Sequence, residues 1–245
     1  MTVVGIVPCR YSSSRFPGKP LADIHGKPMM WHVYQRALES NCFDQVFIAT
    51  DDIRIAKSCE DHQLEFLMTR SDHITGTDRV AECMGLIDAD IYVNVQGDEP
   101  LIEPEAIVKV TEGLTECDDP KVIASNAYVP FSEPSDVIDS NNVKVVLSTN
   151  DHALFYSRQP IPYPKSKKTF YLRQLGLYAF RKNGLKVFSE CPPGPVEQAE
   201  GVEMLRLLEY GYRVQMVRVE DNSIPVDTEA DLSRVIGMMT LPTNV

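Results

Sequence analysis

Four short apolar runs, at residues 2–7, 46–50, 64–68 and 91–95, alternate with stretches patterned as helices at 28–40, 53–61 and 77–84. Strands separated by helical crossovers pair in parallel, so this alternation predicts an α/β fold: a mostly parallel, twisted sheet covered by helices. A helix over 104–114, opening on proline and glutamate, continues the pattern. After about residue 120 the pattern changes. Segments 122–129, 143–147, 152–156 and 175–180 read as strands joined by turns, which predicts a partly antiparallel inserted subdomain over approximately 122–180. Within it, 160–168 is too rich in proline and lysine for a central strand. An amphipathic helix over 197–210, a strand over 214–219 and a helix over 228–238 close the chain. At 245 residues, one large domain spanning 1–245 fits better than two independent ones.

The net charge of −11 argues against a nucleic-acid duplex or a membrane surface as the main partner, because both are polyanions. Met1 leads straight into a strand without a charged leader or a long apolar segment, so neither export nor membrane insertion is expected and a cytoplasmic location is. Six scattered cysteines lack a C-x-x-C pair, and the five histidines are dispersed; free thiols and no zinc site are expected.

Basic residues concentrate in the loop after the first strand, Pro8-Cys9-Arg10-Tyr11-Ser12-Ser13-Ser14-Arg15-Phe16-Pro17-Gly18-Lys19-Pro20. At the carboxyl edge of a parallel sheet such a loop meets ligands, and Arg10, Arg15 and Lys19 have the charge to neutralise phosphate oxygens. The competing reading is a solvated basic turn. No Walker A loop is present, since Pro20 follows Gly18-Lys19, and no G-x-G-x-x-G follows the first strand.

Two carboxylates suit a hard divalent cation such as Mg²⁺. Asp98 follows the strand over 91–95 in Val95-Gln96-Gly97-Asp98-Glu99-Pro100, and Asp227 follows the strand over 214–219 in Pro225-Val226-Asp227-Thr228. Asp227 has a competing role as helix N-cap, and Asp98 as a turn residue. Thr75-Gly76-Thr77-Asp78-Arg79 reads as a helix start capped by Thr77 or Asp78, with Arg79 suited to an anion or a base. Arg158 has the fork to clamp an acceptor carboxylate, or to make a surface ion pair.

Taken in order, Arg15-Phe16-Pro17-Gly18-Lys19-Pro20-Leu21, Ala49-Thr50-Asp51-Asp52, Gly76-Thr77-Asp78-Arg79, Val93-Asn94-Val95-Gln96-Gly97-Asp98-Glu99-Pro100, Phe155-Tyr156-Ser157-Arg158, Glu197-Gln198-Ala199-Glu200 and Val226-Asp227-Thr228 closely resemble the 3-deoxy-manno-octulosonate (Kdo) cytidylyltransferase family. The resemblance implies a three-layer nucleotidyltransferase fold and a homodimeric enzyme that uses CTP and Mg²⁺ to activate Kdo for lipopolysaccharide or capsule assembly. It implies that Arg10, Ser14, Arg15 and Lys19 hold the nucleotide, that Gln96 and Arg79 position cytosine and the reacting groups, and that Asp98 and Asp227 carry the metal. Arg158, Gln174, Tyr178, Glu197 and Gln198 fall where the family binds its sugar, and the inserted subdomain would serve acceptor binding and dimerisation. The sequence departs from the family at Gln174, where histidine is usual, and more mildly at Cys9, Ser12, Thr75 and Pro225. Glutamine donates and accepts hydrogen bonds but carries no proton, so the alternatives are another acidic acceptor, namely 8-amino-Kdo, a different ulosonic acid or a phosphonate. A non-catalytic nucleotide-binding protein is a further alternative.

Overall fold

β1 (Val3–Pro8) is flanked on both sides by parallel strands in the computed structural model, which describes residues 1–12, 15–165, 169–220 and 223–239. The chain divides into two units: Met1–Ile107 together with the C-terminal stretch from Asp221, and Val108–Glu220.

In the first unit β1 is followed by a hairpin of β2 (Asp23–Ile24) and β3 (Lys27–Pro28), then α1 (Met29–Glu39), β4 (Gln45–Thr50), α2 (Ile53–Asp61), β5 (Phe66–Met68), α3 (Gly76–Cys83) and β6 (Ile91–Val95). The main strands are all parallel in the order β6-β1-β4-β5. Every residue of β6 is buried, as expected of a strand covered on both faces, which is why these strands read as continuous apolar runs. β5 is shorter than 64–68 because the backbone N–H of Leu64 still donates to Cys59 O (2.8 Å) in the turn leaving α2. α3 starts at Gly76, not Thr77. Its cap is Thr75, whose hydroxyl accepts from Asp78 N while the Asp78 carboxylate accepts from Thr75 N, and this reciprocal pair corrects the expectation of Thr77 or Asp78. Thr77 is instead buried, its hydroxyl accepting from the Asn94 side chain at 3.2 Å.

The division between the units falls inside α4 (Pro104–Thr115). The second unit continues with β7 (Val122–Pro130), α5 (Pro134–Ile138), β8 (Lys144–Leu147), β9 (Ala153–Ser157), β10 (Leu172–Arg181), α6 (Lys182–Glu190), α7 (Pro195–Glu200), α8 (Met204–Glu209) and β11 (Arg213–Arg218). Its strands run β11-β7-β10-β8-β9; β11 is parallel to β7 and the other pairs are antiparallel. The segment 122–180 lies inside this unit. The helix expected over 197–210 is two helices, because Gly201 adopts φ 62 and ends α7. β10 reaches back to Leu172, beyond the expected 175, across a register shift that breaks the period-two pattern.

The returning chain ends in α9 (Glu229–Met238) within the first unit. Val226 and Val235 are fully buried against Ile24 and Met29, with Phe16, Leu101 and Leu232 packed around them. Each such valine contributes about 1.5–3 kcal/mol by burial, so the last helix is anchored beneath the basic loop by packing. Among the described residues no helix is long and apolar enough to cross a membrane.

Candidate active site

Four side chains from three distant stretches of the first unit converge. The Lys19 ammonium donates to Asp98 Oδ2 at 2.7 Å and to Asp227 Oδ1 at 3.3 Å, and Arg15 Nη2 lies 3.1 Å from the same Asp227 oxygen. The exposures of these side chains are 14% for Lys19, 27% for Asp98, 39% for Asp227 and 62% for Arg15. Two positive and two negative charges thus balance one another while remaining open to exchange with a ligand.

The convergence has a local cause at each corner. Gly97 brings the turn after β6 hard against the end of β1: a β-carbon there would lie 2.7 Å from Pro8 O and 2.9 Å from Cys9 Sγ. Only glycine lets the turn pass so close, and Asp98 follows it directly. The second carboxylate is delivered by tethers on either side of that turn. Ser223 Oγ donates to the buried Glu99 carboxylate at 2.8 Å, and Val226 N donates to Asp98 O at 2.9 Å. Asp227 does not cap α9. Thr228 does, its hydroxyl accepting from Asp231 N (3.2 Å) while Asp231 Oδ2 accepts from Thr228 N (2.9 Å). With capping taken by its neighbour, the Asp227 carboxylate is left to face Lys19. Glu99, Ser223 and Thr228 had no assigned role in the sequence; the signal for Thr228 was the Thr-x-x-Asp spacing.

The other residues expected on the nucleotide side are distributed differently. Arg10 is exposed just beyond β1, and Ser14 lies outside the described residues. Gln96 is half-buried beside the start of α3, its Oε1 3.7 Å from where a Gly76 β-carbon would sit. Arg79 is buried: it forms an ion pair with Asp51 at 2.7 Å and donates to the Thr69 hydroxyl and to Arg70 O. Its fork ties the ends of β4 and β5 to α3, so Arg79 holds the floor beneath the ligand edge instead of reaching over it. Burial pushes the Cys9 thiol well above the ordinary range, which leaves it no thiolate for nucleophilic chemistry at neutral pH.

Asp98 and Asp227 fit a hard divalent cation. Both present carboxylate oxygens to a single point, at present the Lys19 ammonium. Among the described residues no cluster of three or more acidic, histidine or cysteine side chains stands ready for a metal. A two-carboxylate seat suits an ion that keeps several waters and takes phosphate oxygens, which is the habit of Mg²⁺.

In the second unit Gln174 and Tyr178 stand together, Gln174 Nε2 donating to Tyr178 Oη at 2.7 Å. Arg158 donates from Nε to Glu200 O (2.8 Å), from Nη1 to Ser140 O (2.9 Å) and from Nη2 to Gly201 O (3.2 Å). Lys144, fully buried, donates to Asp139 O and Asn142 O at 2.9 and 2.6 Å, and burial lowers its pKa. Lys144 and Arg158 together pin the loop over 139–142. Gln198 is exposed and donates to Pro193 O at 2.7 Å. Glu197 is placed otherwise than the resemblance implies. Its carboxylate faces inward and takes both Arg206 Nε (2.8 Å) and Nη2 (2.6 Å), at side-chain exposures of 8% and 4%, while the guanidinium lies 3.9 Å over the Phe188 ring. The structure spends that carboxylate on joining α7 to α8.

The sequence matches the cytidylyltransferase family over residues 4–219. It is 44% identical over 245 residues to the 3-deoxy-manno-octulosonate cytidylyltransferase of Syntrophobacter fumaroxidans, covering 98% of this chain and 97% of that one. The enzyme of the same name from Escherichia coli is 42% identical, with 96% and 94% of the two chains covered. Among solved structures, a CMP:2-keto-3-deoxy-manno-octonic acid synthetase complexed with CTP superposes with a TM-score of 0.92 at 40% identity, covering 97% of this chain and 98% of that one. A cytidylyltransferase from Leptospira borgpetersenii, at 13% identity and a TM-score of 0.65 over 98% and 89% of the two chains, shares the fold.

Proposed function

We propose that this chain, which belongs to the 3-deoxy-manno-octulosonate cytidylyltransferases within the cytidylyltransferase family, transfers CMP from CTP to the anomeric hydroxyl of Kdo and releases pyrophosphate. It is a nucleotidyltransferase. The observation that carries the reading is the meeting of Lys19, Arg15, Asp98 and Asp227 at one open point, in a chain that matches the family through nearly its whole length. The working enzyme is a Mg²⁺-dependent homodimer in the cytoplasm, and its product serves lipopolysaccharide or capsule assembly.

In this reading Arg10, Ser14, Arg15 and Lys19 bind the triphosphate, and Gln96 meets the base. Arg79 keeps the underlying strand ends in register. Asp98 and Asp227 would hold Mg²⁺, which when bound would supply charge neutralisation and a lower pKa for the attacking hydroxyl. Lys19 gives up its carboxylate partners and turns its ammonium to phosphate. The sugar oxygen forms its bond to the α-phosphorus as the bond from that phosphorus to the bridging oxygen of pyrophosphate breaks, and the hydroxyl proton passes to solvent. No covalent enzyme intermediate is required, and the work of the side chains is positioning and charge stabilisation. On the acceptor side, Gln174 and Tyr178 offer uncharged hydrogen-bonding groups; Gln198 is a further candidate, and Arg158 would have to release backbone carbonyls before its fork could take an acceptor carboxylate.

Pyrophosphate release tests the reading, with CTP run beside ATP, GTP and UTP and with Kdo run beside 8-amino-Kdo, another ulosonic acid and a phosphonate. Turnover confined to CTP and Kdo is expected. Turnover with a different acid and none with Kdo would move the assignment to that acceptor, and CTP binding without pyrophosphate release from any acid would make the chain a nucleotide-binding protein.

A further inference from the structure

Antiparallel pairing between β10 and β7 is interrupted once. Gln174 stands opposite Tyr128 and Tyr178 opposite Asn126, so residues 175, 176 and 177 on β10 face only Ala127 on β7. A bulge of this kind strips backbone carbonyls of their ladder partners and needs another donor to hold its shape. Asn126 supplies it. Its Nδ2 donates to Leu175 O at 2.8 Å and to Leu177 O at 2.9 Å, closing both ends of the bulge from the facing strand.

Two further observations make this more than a filled gap. The Asn126 side chain is fully buried and its Oδ1 has no hydrogen-bond partner. An orphaned buried carbonyl is costly, so what the Asn126 amide contributes here comes from its two donated hydrogen bonds. Gln174 and Tyr178 would lie roughly 13 Å apart on a regular strand, too far for their side chains to pair closely. Here the chain is gathered up between them, and Gln174 Nε2 reaches both Leu175 O (2.5 Å) and Tyr178 Oη (2.7 Å). Leu175 O is therefore shared by Asn126 and Gln174, and the same carbonyl that fixes the bulge fixes the glutamine amide. With Nε2 spent twice, what Gln174 has left to offer a ligand is its carbonyl oxygen, an acceptor for a hydroxyl or an ammonium group.

We propose that Asn126 is a positioning residue for the acceptor sugar: it holds the bulge that brings Gln174 and Tyr178 together and aims the Gln174 carbonyl at a hydroxyl or amino substituent of that sugar. This rests on the reading of Gln174 and Tyr178 as acceptor-binding residues. The test is steady-state kinetics of pyrophosphate release for Asn126→Ala, Gln174→Ala, Tyr178→Phe and the Asn126→Ala/Gln174→Ala double variant, varying Kdo and CTP separately. Asn126→Ala is expected to raise the KM for Kdo about tenfold or more and leave the KM for CTP within about twofold, and in the double variant the rise is smaller than the product of the two single-variant effects. A Kdo KM within twofold of the parent, or equal rises for both substrates, overturns the proposal. If Gln174→Ala and Tyr178→Phe also leave the Kdo KM unchanged, the acceptor reading itself fails and takes the proposal with it; if they raise it and Asn126→Ala does not, the proposal alone fails. Should Asn126→Ala not fold, Asn126→Ser keeps one donor and carries the same comparison with a smaller shift.

Discussion

Lys19 with its two aspartates, and Arg206 with Glu197, are built from the same chemistry and put to opposite uses. In the first unit one ammonium touches two carboxylates through a single nitrogen, and the carboxylates stay in contact with water. In the second, a guanidinium fork meets both oxygens of one carboxylate, a third nitrogen donates to Phe188 O, and a phenyl ring closes one face. Charges that are partly solvated and held through one atom each can change partners when a ligand arrives. Charges that are dry and doubly bonded cannot, because leaving either one unpaired costs several kcal/mol. The difference separates the carboxylates available for chemistry from the one that is architecture, although all three belong to family-like motifs.

The sharpest way to break this contrast is Asp98→Ala. Turnover is expected to fall about a thousandfold or more, equivalent to roughly 4 kcal/mol of transition-state stabilisation. The melting temperature should hardly move, since partly exposed ion pairs contribute about 0–1 kcal/mol. Pyrophosphate release within tenfold of the parent would show that Asp98 is architecture too. Glu197→Ala should give the reverse pattern, a loss of about 3–5 kcal/mol in chemical denaturation with CTP affinity retained in the surviving folded protein. A stability change below about 1 kcal/mol would remove the distinction from the other side.

Smaller effects sharpen the comparison at its edge. Thr228→Ala removes the α9 cap that frees Asp227 and should cost about 1 kcal/mol in thermal or chemical denaturation. It should also lower turnover several-fold, because the residue before the cap carries the second carboxylate. Asp231 gives the smallest signal. Burial pushes its carboxyl up, yet hydrogen bonds from the Thr228 hydroxyl and from the backbone of Asp227 and Thr228 outweigh that and hold it below the usual range. A carboxyl with a depressed folded pKa contributes stability that is present above its unfolded value, near pH 4, and lost as the pH falls through the folded one. The stability gap between the parent and Asp231→Asn should therefore be open at pH 6 and close progressively below pH 4 in a denaturation series.

The sequence discloses whatever local chemistry decides. The apolar strands of the first unit, the basic loop after β1 and the glycine preceding Asp98 are each visible in a few consecutive residues. The placement of Asp227 is not, because the Ser223 to Glu99 hydrogen bond joins residues 124 positions apart and leaves no local trace. Glu197 misleads for a related reason. Its partner Arg206 lies nine residues on, a spacing that brings no contact on one continuous helix and does so here only because Gly201 breaks the helix in two. The bulge in β10 hides in the same way, since it interrupts the alternation by which a strand is recognised. Gln174 stands out as a departure from the family pattern, but nothing in the line of residues points to Asn126 on another strand.

The contact between Lys19 and Asp227 spans 208 residues. Its consequence lies in the order in which a growing chain can become competent. β1, the basic loop and Asp98 leave the ribosome early and can settle into a parallel sheet while more than a hundred residues are still to be made. Asp227 arrives only after the whole second unit has been synthesised, and loop closure over that distance is entropically slow. A nascent chain halted near residue 220 would carry the basic loop and Asp98 but not Asp227, so the pair of carboxylates facing Lys19 can form only after residue 227 has been made.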